Sequence, residues 1–379
     1  MKKDYAILVM ALLLIGGCSG GKQSGNKDNT SIIVNVEKDY PEKELKLQDF
    51  MDVEYIVLES SDEFLCQGRI FDIGQKIMLV GNDTQDGNIF IFDRTGKGLR
   101  KINHRGHGGE EYVFFMGISL DEESGEIFIN DVIGGKIIVY DLYGEFKRSF
   151  PYKENVRIDN IFNYDKEKLI CELGQGRETT DRARFAIISK QDGAVINKIH
   201  IPYKQRKTTK IDTNNNLFII YPYHSILPYH NWILSEASSD TLFSLLPNGD
   251  KIPFIVRTPS IQSMEPEVFL FPKMFTERYC FMEKVKKERE FSKVDLIYDR
   301  QDKRIYEYTL YNDDYVGKQL VSLVASETKN KEIGFWQKIE ADKLVESYKK
   351  GELKGRLKEI AAGLEETSNP VIMLAKEKK

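Results

Sequence analysis

The chain has 379 residues, 41% hydrophobic and 30% charged, with 55 basic against 59 acidic side chains and a net charge of −4. No excess of basic residues is available to grip a phosphate backbone, so nucleic acid is excluded as a partner. The apolar content suits a large folded core and excludes a chain that is disordered throughout.

At the amino terminus, Lys2 and Lys3 precede the apolar run Ala6 to Ile15, which is short for a bilayer span and is arranged as an export signal. Leu14-Ile15-Gly16-Gly17-Cys18 resembles a bacterial lipobox. By that resemblance residues 1 to 17 are a signal peptide, and Cys18 is the lipid attachment that holds the protein to the bilayer. Several acyl chains anchor far better than one. Ser19 after the cysteine fits sorting to the outer membrane of the bacterial cell envelope, as in similar lipoproteins, with the periplasmic or surface face left open. Residues 18 to 31 read as a flexible tether, because Ser19 to Thr30 offers no apolar side chain to bury.

From Ile32 onward alternating strand patterns begin, and they repeat. Asp93 and Gly96 recur as Asp141 and Gly144, a displacement of 48 residues. That is about the length of one four-stranded propeller blade. Five outer hairpins share a Gly or Asp turn: Asp93–Gly96, Asp141–Gly144, Lys190–Gly193, Leu246–Gly249 and Asp299–Asp302. Each is expected to follow an inner strand pair, at 70–80, 117–130, 158–173, 210–221 and 268–284. The strand at 53–58 and the segment after Leu320 are left over and are expected to combine as blade six, which removes an open sheet edge. Leu353, Leu357, Ile360, Ala361 and Leu364 recur at helical spacing, which predicts a helical insert at about 336–366 before a closing strand at about 370–376. The fold class is all-β, a six-bladed β-propeller over 32–379. Cys66, Cys171 and Cys280 are widely spaced and odd in number, and read as buried thiols.

His107-Gly108-Gly109-Glu110-Glu111-Tyr112, Gly117 to Asp121, Glu126 to Asp131 and Lys136 to Asp141 together look like an NHL repeat. The whole chain resembles the bacterial six-bladed β-propeller lipoproteins with NHL-like blades, down to Asn369-Pro370 before the final strand. The glycine loop Gly106 to Tyr112 lacks the proline usual in that family, and blades three to five have drifted from its consensus.

The sequence contains no nucleophile elbow, P-loop, dinucleotide fingerprint or paired-histidine zinc helix, and nothing in it asks for a cofactor. His104 and His107 lie in a glycine-rich loop, which does not hold two histidines on one face as a helix would, so no metal is expected there. Asp83 and Asp131 recur in register and read as turn caps. The segment Tyr221 to Trp232 breaks the repeat and concentrates aromatics, so Tyr223, His224, Tyr229, His230 and Trp232 form the candidate ligand surface. Arg105 and His107 are a second candidate. The leading reading is a binding or scaffold module for a peptide, glycan or protein partner. The alternative is an extracytoplasmic lyase or hydrolase with its site at the central channel. Convergent ionisable groups at the channel mouth favour the enzyme, and an aromatic shelf favours binding.

Overall fold

A computed structural model describes residues 31–83, 86–154, 156–174, 183–212, 218–323 and 330–379, and in it the chain forms a six-bladed β-propeller. The export signal, Cys18 and the tether before Ser31 lie outside the described residues. Blade one comprises Arg69–Ile73, Ile77–Gly81, Ile89–Asp93 and Gly98–Ile102. Blade two comprises Phe115–Asp121, Glu126–Asp131, Lys136–Asp141 and Phe146–Pro151. Blade three comprises Ile158–Asn163, Lys168–Leu173, Ala183–Ser189 and Val195–His200. Second strands such as Ile77–Gly81 and Glu126–Asp131 are buried along their whole length, since each blade stacks on neighbours through both faces. The outermost strand Gly98–Ile102 alternates instead.

Six apolar clusters fill the six gaps between blades and close the ring. Leu79 clusters with Ile118 between blades one and two, Phe128 with Cys171 between two and three, and Phe162 with Trp232 between three and four. Leu242 clusters with Leu270 between four and five, Ile297 with Met373 between five and six, and Ile372 with Phe90 between six and one. The outer turns hold Gly96, Gly144, Gly193 and Gly249 at φ of 90°, 88°, 72° and 88°, a region that glycine enters without a Cβ penalty. A Cβ on Gly96 would lie 2.0 Å from the Val57 carbonyl oxygen, so the first hairpin could not close on blade six with any other residue. Cys66, Cys171 and Cys280 are buried free thiols, and burial pushes those of Cys66 and Cys280 up to about 11.

Blade four differs from the sequence reading. Its inner strands are Ile226–Pro228 and Trp232–Leu234, followed by Thr241–Leu245 and Lys251–Thr258, whereas the 210–221 segment makes a separate hairpin of Lys210–Asp212 with Phe218–Ile220. The inner strands are only three residues long and contain Pro228, so they leave little alternation to read. Blade five comprises Val268–Phe275, Tyr279–Lys287, Phe291–Asp299 and Arg304–Asn312. Two strands near the amino terminus add parallel outer edges: Ile32–Asn35 on Lys251–Thr258, and Glu42–Lys46 on Arg304–Asn312.

Blade six is Ile333–Ile339, Val371–Glu377 and Met51–Val57, joined across the chain ends. Met51–Val57 leads directly into blade one and so takes the fourth, outermost place, which puts Ile333–Ile339 in the second. Ahead of it, Val321 and Leu323 are buried among Met51, Phe281 and Phe335, and the Val321 N–H donates to the Leu310 carbonyl of blade five at 2.8 Å. The helical stretch is shorter than the insert expected from 336: residues 336–339 are strand, because Val371–Glu377 needs a hairpin partner. The helices are Ala341–Lys349 and Gly355–Ala361, packed through Leu344, Leu353, Leu357 and Ile360 onto Val371. Among the described residues no helix is long and apolar enough to cross a membrane.

Candidate functional site

The first strands of blades one, two, three and five each carry a bulge, which re-aims a side chain by inserting one unpaired residue. In blade five the register shifts between Pro272 and Met274, and the extra residue is Lys273. Its ammonium lies 2.7 Å from the Glu283 carboxylate, with 6% and 1% of the two side chains exposed. Lys273 lines a cavity on each side of it, so it marks the waist of the channel.

The upper cavity has a volume of about 670 Å³. Its wall takes Arg69 and Ile70 from blade one, Asn160, Phe162 and Glu172 from blade three, Tyr221 to Ser225 from the run into blade four, Lys273 and Lys293 from blade five, and Trp336 from blade six. Tyr221 and Tyr223 both stack on Phe271, with centroids at 6.1 and 4.3 Å, so their rings are held by the protein itself. Burial and the neighbouring Glu283 raise the Tyr221 phenol, and burial with Glu236 pushes Tyr223 up to about 12, which keeps both hydroxyls protonated. Below them Arg184 pairs with Glu172 and, at 2.8 Å, with Glu236, and donates to the Leu173 carbonyl. Burial works to neutralise this guanidinium, but Glu172, Tyr223 and Glu236 outweigh it and hold it charged.

The lower mouth is divided by Lys331, which stands over the Trp232 ring at 5.6 Å. On one side a cavity of about 360 Å³ is lined by Tyr229, His230, Lys273, Glu277 and Glu377. The His230 Nε2 lies 2.8 Å from Glu277, whose backbone N–H donates to Glu377 at 2.6 Å. Burial raises the Glu377 carboxyl above its ordinary range. On the other side the turns of blades one to three line an open cavity of about 680 Å³, but its carboxylates are engaged. Glu122 accepts from the N–H groups of Gln75, Lys76 and Ile77, and Asp121 pairs with the buried Lys190. Among the described residues no cluster of three or more His, Cys, Asp or Glu is set to hold a metal.

The sequence-selected residues are therefore dispersed. Tyr223 and His224 line the upper cavity, and Tyr229 and His230 the lower one, because Tyr221 to Trp232 spans the inner hairpin of a blade from one mouth to the other. Trp232 is not on either surface: it is 3% exposed and packs against Phe162 and Tyr164 of blade three. Arg105 and His107 lie on an exposed loop at the blade one–blade two boundary, away from every cavity described above. That loop is built for structure: Tyr112 is fully buried and its hydroxyl donates to the Gly87 carbonyl, while Glu111 accepts from the Gly108 N–H. Asp131 caps its turn, accepting from the N–H groups of Val113, Phe114 and Gly134. Asp83 does something else, pairing with Lys338 at 2.9 Å on the upper rim. Arg69, Lys273, Lys293, Ser225 and Trp336 were not selected from the sequence. Lys273 left one signal, a lone cation in the apolar run Val268 to Phe275.

No curated protein matches this chain. Among solved structures, a Bacteroides fragilis protein described as exported has a similar fold at TM-score 0.61 and 14% identity, covering 92% of this chain and 100% of its own. A DUF4221 family member from Bacteroides vulgatus aligns at TM-score 0.45 and 9% identity over 86% and 97% of the two chains. Virginiamycin B lyase from Staphylococcus aureus aligns at 0.40 and 10% over 86% and 99%. The family model for DUF5128, a six-bladed β-propeller, matches residues 21–334, and the chain belongs to that family.

Proposed function

We propose that this protein is a membrane-anchored extracytoplasmic lipoprotein with NHL-like blades, whose propeller is a binding module for a peptide, glycan or protein partner, seated in the upper cavity. The observation that carries the binding reading is the cavity itself, about 670 Å³ with polar and charged groups converging from four blades and the run before blade four. That volume falls in the range of ligand sites, roughly 300–1,000 Å³. The export signal and Cys18 support anchoring, and Ser19 supports the outer membrane. The fold resemblance to a protein described as exported agrees with a place outside the cytoplasm.

One series of variants tests both halves. Cys18→Ser should move the protein from the membrane to the soluble fraction, and a variant that still pellets like the parent removes the lipoprotein assignment. Pro222→Trp and Lys293→Trp place bulk at exposed rim positions of the cavity, where folding should tolerate it. On glycan and peptide arrays both should lose the signals that the parent gives. Signals that persist in both variants exclude the upper cavity as the binding site.

A further inference from the structure

The wall of the upper cavity is unequally supplied: its acceptors are engaged and several of its donors are not. Among the acceptors, Asp83 takes the Lys338 ammonium, Glu172 takes Arg184, and the Asn160 side-chain oxygen accepts from the Ile161 N–H at 2.9 Å. Glu236, behind the wall, is shared between Arg184 and the Ser238 hydroxyl. Among the donors, Arg69 has no carboxylate in contact among the described residues, and its guanidinium stands 5.8 Å from the Phe71 ring. Among the described residues the only carboxylate near Lys293 is Asp295, at 4.0 Å. Among the described residues Lys273 meets a single carboxylate, Glu283, and an ammonium has three N–H donors. Ser225 is 2% exposed, and among the described residues neither its hydroxyl nor the buried Trp336 Nε1 has a hydrogen-bond partner. An indole N–H can only donate, and a buried donor left unpaired costs about 1–3 kcal/mol.

Taking this cavity as the binding site, we propose that its ligand is a small carboxylate, which supplies a counter-charge to Arg69 and acceptors to the N–H donors that Lys273 and Lys293 have left over. A neutral ligand would leave these cations as they are, whereas a carboxylate exchanges water for charge-assisted hydrogen bonds, the stronger kind. A carboxylate of this size has two natural sources, a sugar acid and an acidic peptide end, and both satisfy the same donors.

Calorimetric titration of the soluble protein with a uronate-ended disaccharide, a glutamyl dipeptide and the neutral amide of each tests the proposal. At least one carboxylate should bind, its amide should bind at least tenfold more weakly, and which carboxylate binds identifies the source. Arg69→Gln and Lys293→Gln should each weaken the carboxylate and leave the melting temperature unchanged, because neither side chain closes an ion pair shorter than 4.0 Å. Amides that bind as tightly as their acids, or an Arg69→Gln variant with parental affinity, overturn the carboxylate and leave the cavity as a binding site. Absence of binding by every carboxylate also overturns it. The cavity assignment itself falls only on the rim-blocking tryptophan variants.

Discussion

Trp232 is 3% exposed, with Phe162 edge-on at 6.0 Å and Tyr164 stacked at 6.4 Å. Trp232→Ala should therefore leave a cavity between blades three and four and cost about 3–5 kcal/mol. Tyr229 is half-buried, among Phe254 and Phe275, and its hydroxyl donates to the Thr276 carbonyl at 3.1 Å. Tyr229→Ala should cost clearly less. Thermal melts of the two variants check this, and equal small losses would place Trp232 outside the core. The sequence marks both rings as aromatics in one segment and carries no sign of which is inside. Burial there is decided by blade three, whose Phe162 and Tyr164 are distant in the chain. Lys273 is the opposite case, since a lysine inside an eight-residue apolar strand has to find a partner. Its partner, Glu283, stands in the next strand, just after the run Tyr279 to Met282.

At the scale of elements, the last strand does two jobs. Val371–Glu377 pairs with Ile333–Ile339 on one side and Met51–Val57 on the other, so blade six has no sheet without it. Just ahead of it Asn369, 1% exposed, accepts from the Cys66 N–H and donates to the Glu59 and Phe64 carbonyls at 2.7 and 2.6 Å, fixing the loop into blade one. Deleting residues 369–379 should expose two apolar edges and give aggregation or loss of a single cooperative melt, read by light scattering and calorimetry. A soluble truncation with the parental melting temperature would contradict this account of closure. The period of 48 made the first two blades legible, because their Asp and Gly turns recur with alternating strands between them. Blade four was hidden by its three-residue inner strands, and the two added edge strands by their parallel pairing, which leaves no hairpin turn in the sequence.

Over the whole molecule, buried carboxylates tie together segments far apart in the chain. Asp299 is fully buried at its side chain and holds both Arg278 and Lys43, the latter from the added strand on blade five. Burial opposes its charge, but those two cations win and hold it at about 2. Arg148 and Lys147 likewise hold Glu126 at about 2, against the opposing effect of burial. The unfolded values are about 3.9 for Asp and 4.3 for Glu. Both carboxylates are thus depressed in the folded state, so their contribution is complete above those unfolded values and is lost as pH falls through about 2. The melting temperature should drop between about pH 4 and pH 2, and Glu126→Gln and Asp299→Asn should each flatten that drop. Melts at half-unit pH steps check it, and slopes equal to the parent's would refute the assignment. The architecture was readable because it is periodic, but the cavity was not. Its residues come from different blades at unrelated offsets, and only ring closure brings Arg69 and Trp336 to one wall.

The three earliest strands all depend on partners made much later. Ile32–Asn35 waits for Lys251–Thr258, Glu42–Lys46 for Arg304–Asn312, and Met51–Val57 for Val371–Glu377. At a ribosomal pace of roughly 5–20 residues per second, that delay is on the order of ten to sixty seconds. During it the newborn chain shows unpaired, alternating strands at its leading end, and these are a natural target for a holding chaperone until the last blade is synthesised.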